Sequence, residues 1–230
     1  MKYLIHQPWG GLGDNLQYST LPEQLTRQGH EVYIHIQNAY RNPEIFDLVW
    51  RSNPFVKGVA DGPVNCGWVG RDPKQPTYGI NKWEDLFGAP RSAGIPRLYF
   101  DPVQVIGLEN VVMVDLNFSS CTYFEEQVMA VMYREVANRW PNSDVRQVVF
   151  DRHVSAHSYK STFPTIQVRN IWHYCQLIAS CKAIVTLLTG SSPLASAIKQ
   201  FNATPQILTI KKSDYNEGQI FPNAEFVDAH

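Results

Sequence analysis

Two short stretches of this chain carry residue types and spacings that could do chemistry. The first is PWGGLGDNLQ, residues 8–17, which sets Gly10, Gly11, Gly13 and Asp14 directly after an apolar opening, MKYLIHQ. Glycines after a strand let the main chain turn sharply and bring N–H groups close to a ligand, and the following helix offers its partly positive end to an anion. A carboxylate at such a turn can act as a general base, or it can cap the helix by accepting hydrogen bonds from first-turn amides. The second stretch is LLTGSSPLASAIK, residues 187–199. Here Thr189, Gly190, Ser191 and Ser192 follow an apolar run and precede Pro193, whose fixed φ suits the first turn of a helix. Hydroxyls and free amides at that point could hold a diphosphate, and Ser192 could equally be an ordinary N-cap.

Neither stretch completes a better-known nucleotide motif. The dinucleotide fingerprint G-x-G-x-x-G fails at Leu16, and IHIQNAY has Gln37 and Asn38 where an acidic residue would be sought for a ribose. The Gly-Lys-Ser/Thr ending of a P-loop is missing, and so is the G-x-S-x-G of a serine hydrolase. A nicotinamide-dependent oxidoreductase stays in view only through the G-x-G after the first strand. His153 and His157 stand four apart in a loop-like segment that implies no third ligand, so no metal centre is expected. Cys66, Cys121, Cys175 and Cys181 match no zinc spacing and read as buried structural thiols. Trp9, Trp68 and Trp83 look exposed; their flat faces suit sugar rings, or core and lid packing. Glu125 and Glu126 read as a helix start, where acidic side chains suit the dipole.

The elements that must position these residues alternate between strand and helix patterns. KYLIHQ (2–7) reads as a strand, GGLGD as its turn, Asn15 to Gln28 as a helix closed by Gly29, and EVYIHIQ (31–37) as a second strand. A short helix over 42–53 and a strand at 55–61 follow, and then 61–100, crowded with Gly and Pro, reads as surface loop. From about 104 the alternation resumes: strands at 110–118, 145–151, 165–168, 183–188 and 205–210, with helices at 124–140, 171–181 and 192–201. The expectation is an α/β chain of two Rossmann-like parallel-sheet halves, 1–103 abbreviated and 104–230 doubly wound. The GGLGD and TGSS loops would then be two facing lips of a cleft.

Composition removes whole classes of function. With 20 Lys+Arg against 21 Asp+Glu the net charge is −1, so no field favours nucleic acid or an anionic membrane. Hydrophobic residues at 44% suit a folded chain, and no apolar run reaches the roughly 18 residues of a membrane span. With no basic, apolar leader at the start, a cytoplasmic location is expected.

GGLGDNLQYSTLPEQLTRQGHEVYIH (10–35) and IWHYCQLIASCKAIVTLLTGSSPLASAI (171–198) together resemble GT-B glycosyltransferases of the ADP-heptose:lipopolysaccharide heptosyltransferase type, glycosyltransferase family nine. That family has a similar G-x-G-D turn, Leu-rich helix and G-H-x-V strand, and later a strand ending in Asp-Thr-Gly-x-x-His. The resemblance implies sugar transfer from a nucleotide-diphospho-sugar to an acceptor hydroxyl, inverting and without metal or other cofactor. It assigns Asp14 as general base, Gly11, Gly13 and Asn15 to the acceptor-side loop, and Thr189, Gly190, Ser191 and Ser192 to the diphosphate. Ser119 and Ser120 could add phosphate hydroxyls, and Lys160 could supply the cation that the family places elsewhere. Leu188 stands where the family has the aspartate, Pro193 where it has the histidine, and the first half is short. A catalytically silent member that binds a nucleotide sugar or glycan is the alternative expectation.

Overall fold

The computed structural model of the chain describes residues 1–67, 79–119, 124–151, 157–212 and 220–229. It divides into two compact units, Met1–Asp101 with Asn216–Pro222, and Pro102–Tyr215 with Asn223–His230.

The first unit is built on a four-stranded sheet. Its elements are β1 (Lys2–His6), α1 (Leu12–Gln17), α2 (Leu21–Arg27), β2 (Glu31–His35), α3 (Pro43–Phe46, running on into a wide π-turn at Asp47–Arg51), β3 (Val56–Ala60), β4 (Cys66–Gly67) and α4 (Ile80–Leu86). The strands lie in the order β3-β2-β1-β4, all parallel. The helix expected over 15–28 is two helices that begin earlier, at Leu12. Pro22 carries no N–H to bond back to Tyr18, so the ladder is interrupted and Leu21 N–H bonds Tyr18 O at 3.1 Å instead. Nor is 61–100 simply surface loop. It contains β4 and α4, and Trp83 of α4 is only 3% exposed, its ring stacked on Tyr18 with centroids 4.8 Å apart. Trp83 is therefore core, while Trp68 falls outside the described residues.

The second unit is larger. It comprises β5 (Val111–Asp115), β6 (Asn117–Phe118), α5 (Glu125–Arg139), β7 (Asp144–Phe150), β8 (His157–Ser158), β9 (Thr165–Val168), α6 (Ile171–Ser180), β10 (Ala183–Leu187), α7 (Ser191–Ile198), β11 (Gln206–Lys212) and β12 (Glu225–Ala229). Six of these strands form a parallel sheet in the order β12-β11-β10-β5-β7-β9, and β6 pairs antiparallel with β8. Alternate residues of β5, Val112 and Val114, are buried in a core with Val128 and Met132 of α5 and Val185 and Leu208 of neighbouring strands. The strand expected over 110–118 breaks after Asp115, whose carboxylate accepts the Asn117 N–H at 3.0 Å and so turns the chain. β12 at the end of the chain had no counterpart among the expected elements; EFVDA is a half-buried edge strand with little apolar signal.

Strand order decides where the two loops lie. In the first unit the chain leaves β1 toward β2 and β3 and later adds β4 on the other side. In the second it runs from β5 to β7 and β9, then crosses back to β10, β11 and β12. Each sheet thus has a topological switch point, between β1 and β4 and between β5 and β10, and parallel α/β sheets bind ligands outside the carboxyl ends of such strands. The GGLGD turn follows β1, and TGSS follows β10.

Candidate functional site

Two glycines of the first turn have a geometric reason each. Gly10 has φ +73°, a conformation costly for other residues, and a Cβ there would lie 3.3 Å from the backbone of Ala39 and Tyr40. Gly11 is the N-cap of α1 with an ordinary extended backbone, yet a Cβ on it would stand 2.6 Å from Oδ2 of Asp14. The small residue is needed so that the carboxylate can come close. Gly13 is the second residue of α1 and half-buried.

Asp14 occupies the third helical position and is not the N-cap. Its carboxylate accepts a hydrogen bond from the Gly11 backbone, the reaching-back half of a capping box. Burial pushes its pKa up, and the nearby Arg41 charge and the Gly11 N–H oppose that without reversing it. A carboxyl whose pKa is raised is a stronger base than an ordinary aspartate.

Asn15, expected on the acceptor-side loop, lies within α1 and makes internal hydrogen bonds. It is fully buried, its Nδ2 donating to Gly11 O at 2.9 Å and its Oδ1 accepting from Trp50 Nε1 at 2.9 Å and Asn38 Nδ2 at 3.2 Å. Asn38 also accepts from the Gln7 backbone at 2.5 Å, and Gln7 Oε1 takes the N–H groups of Trp9 at 2.7 Å and Gly10 at 3.0 Å. These amides hold the turn from inside. Asn38, where a ribose-binding acid was sought, is thus a framework residue, and Gln7, Trp50 and Arg41 were not singled out from sequence. Trp9, on the same turn, is 54% exposed.

At the second switch point the serines turn inward. α7 begins at Ser191 with Gly190 as N-cap, so Ser192 is not the cap. Ser192 is fully buried with its hydroxyl 2.9 Å from that of Thr209, and Ser191 Oγ donates to Asp115 Oδ2 at 2.5 Å. Buried hydroxyls take internal partners because leaving one unmade is costly. The turn before α7 retains the Gly190 and Ser191 backbone N–H groups, which bond no acceptor among the described residues, whereas Ser192 N–H bonds Thr189 O at 3.2 Å. Thr189 is half-buried, its own N–H 2.7 Å from Leu187 O.

Asp115, unnoticed in the sequence because it ends an apolar strand, ties this region together. It is fully buried, and accepts from Tyr174 OH at 2.5 Å and Asn117 Nδ2 at 2.6 Å besides Ser191. Burial first, and then the Asp115 charge, raise the Tyr174 phenol well above its usual range, so it stays a hydrogen donor. Ser119 is half-buried just past β6, and Ser120 lies outside the described residues. Lys160 is exposed on a segment clamped by Gln147, whose Nε2 donates to Tyr159 O at 2.5 Å and whose Oε1 accepts Ser161 N–H at 2.7 Å. Among the described residues no three His, Cys, Asp or Glu side chains converge as metal ligands; His157 is exposed on β8, and His153 lies outside those residues. Cys66, Cys175 and Cys181 are free and buried, with burial pushing the Cys66 and Cys181 thiols up to about 12, and Cys121 is outside the described residues.

No protein-family model matches the chain, and no curated protein matches it significantly. Solved structures do resemble it. The iron-containing dodecameric glycosyltransferase TibC from enterotoxigenic E. coli H10407 is 14% identical at a TM-score of 0.62, over 98% of this chain and 62% of that one. E. coli heptosyltransferase WaaC with ADP is 11% identical at 0.62, over 100% and 94%. A family 9 glycosyl transferase from Veillonella parvula DSM 2008 is 8% identical at 0.61, over 100% and 86%. The chain therefore spans about three-fifths of TibC and nearly all of WaaC. At such identities the likeness is one of fold: a GT-B-like pair of parallel-sheet units, as the two loop motifs implied.

Proposed function

We propose that this chain is a glycosyltransferase that moves a sugar from a nucleotide-diphospho-sugar to an acceptor hydroxyl, inverting the anomeric centre and needing no metal. The observation that carries the reading is Asp14, a carboxylate raised by burial and held against Gly11 at the switch point of a unit whose fold heptosyltransferases share. In the proposed step Asp14 takes the acceptor hydroxyl's proton while that oxygen bonds the anomeric carbon. The bond from that carbon to the diphosphate breaks on the opposite face, and its electron pair leaves with the phosphate. The acceptor is assigned to the first unit, with Gly11 and Gly13 along its loop and Asn15 behind it. The nucleotide is assigned to the second, on the amides of Gly190 and Ser191, with Thr189, Ser119, Ser120 and Lys160 as further partners. TibC is described in complex with ADP-D-beta-D-heptose and WaaC with ADP, which supports a nucleotide-sugar ligand without choosing its base.

Thermal unfolding with ADP, GDP, UDP and NAD tests the assignment. A nucleoside diphosphate at about 100 times its Kd stabilises by about 2.7 kcal/mol. A response to NAD alone would replace the reading with a nucleotide-dependent oxidoreductase. The inward Ser191 and Ser192 favour one second reading, a silent member that binds without transferring; saturable binding with no transfer from any sugar nucleotide is its signature. Gly11→Ala probes the base more finely. Its Cβ must displace the Asp14 carboxylate, so transfer is expected to fall by about 100-fold. The backbone at Gly11 suits alanine, so Tm is expected to stay within about 4 °C of the parent. Unaltered turnover would show that the carboxylate's seat on Gly11 is unimportant.

A further inference from the structure

We infer that Asp115 is a specificity-determining residue of the nucleotide side, one that distinguishes the intact sugar nucleotide from the nucleoside diphosphate left after transfer. The inference rests on the assignment of the α7 start to the diphosphate. Asp115 accepts at both oxygens and donates at neither: Oδ1 takes the Asn117 N–H and Nδ2, and Oδ2 takes Tyr174 OH and Ser191 Oγ. That is the pattern of an ionised carboxylate, and all of these partners are uncharged. A negative charge is thus buried directly behind the first residue of α7. It has a second effect on the turn before α7. Ser191 has one hydroxyl proton, and at 2.5 Å that proton goes to Asp115, so at Ser191 an incoming phosphate oxygen meets the backbone N–H and not the hydroxyl's proton.

The reaction changes the charge of what is bound there. While the sugar is attached, the outer phosphate is a diester; when its bond to the anomeric carbon breaks, the electron pair stays on phosphate oxygen and the acceptor's proton is on Asp14. The leaving diphosphate carries one more negative charge than the donor did. A fixed carboxylate one residue away disfavours that extra charge, by about tenfold in affinity for unit charges several ångströms apart in a partly polar surrounding. Asp115 therefore makes the product a poorer ligand than the substrate and hastens its departure.

Asp115→Asn tests this, because its amide can donate to the Tyr174 and Ser191 hydroxyls, which rotate to accept, while the charge is gone. Asp115→Ser removes the same charge with a smaller group, should the first variant fold poorly. Titration calorimetry on the full chain compares ADP with ADP-glucose and UDP with UDP-glucose at fixed ionic strength. The expected result is that the diphosphate's Kd, divided by that of its sugar conjugate, falls about tenfold in both variants. A ratio unchanged or increased while the parent binds both members of a pair overturns the role of Asp115 alone. Failure of the parent to bind any of the four overturns the nucleotide-side assignment itself.

Discussion

Asp14→Asn is expected to slow sugar transfer by about 10²–10⁴-fold, the usual contribution of a positioned general base. Binding of the nucleoside diphosphate, assigned to the other unit, should be unchanged. The amide keeps the shape but cannot take a proton, so the loss belongs in kcat rather than in Kd for the nucleotide; full turnover by this variant would remove Asp14 from the mechanism. The pH profile adds a signed check. The base works only when ionised, so the rate rises with pH through the pKa of Asp14, and burial moves that acid limb upward from where an ordinary aspartate would put it. Arg41→Gln removes a charge that holds this pKa down, so its acid limb should move to still higher pH. Stability has the opposite slope. A carboxyl whose folded pKa is raised binds its proton more tightly in the folded state, so stability is lost as pH rises from the unfolded pKa through the folded one. The asparagine variant should lack that loss, and unfolding curves across the window measure it.

Asp115→Ala is expected to be the most destabilising of the substitutions considered, by about 3 kcal/mol, because it takes the acceptor from several donors at once around a buried position. Tyr174 OH, Ser191 Oγ and the Asn117 N–H lose this acceptor, Asn117 Nδ2 keeps its bond to Val148 O, and Tyr174 is buried, so water cannot replace the carboxylate at its hydroxyl. For a chain of this size such a loss lowers Tm by about 6–12 °C. Asp115→Asn should cost less, since two of the donors are hydroxyls that can reverse. An alanine variant that melts with the parent would show that the carboxylate does not hold α6, α7 and the turn after β5 together.

Much of the architecture was legible because parallel sheets leave a strong local trace. Strands such as TIQV and AIVTL are apolar or alternating runs of the length seen, bounded by helical periods, and both were placed where the structure has them. Errors fall where a local pattern is weak or a distant contact overrides it. EFVDA forms an edge strand because β11 offers it a ladder, which its own composition does not announce. Residues 80–86 form a helix in a Gly- and Pro-rich stretch because Ile80 and Trp83 find an apolar site, Trp83 against Tyr18. Among the candidate residues, Asp14 and its glycines were recognisable from spacing. Asp115 was not, since a single carboxylate ending an apolar strand looks like the strand's natural stop.

What the amino-acid order determined by itself was the alternation of strands and helices, the Gly-Gly-x-Gly-Asp turn before α1 and the Thr-Gly-Ser-Ser turn before α7. All of these depend on periodicity and backbone freedom within a few residues. The direction of each hydroxyl and amide was decided only by tertiary structure. Ser191 and Ser192 have the same side chain and adjacent positions, yet one bonds Asp115 and the other Thr209, and Asn15 bonds Trp50 and Asn38. A polar side chain takes the partner that packing brings within reach, because burying it unpaired costs more than any local preference supplies.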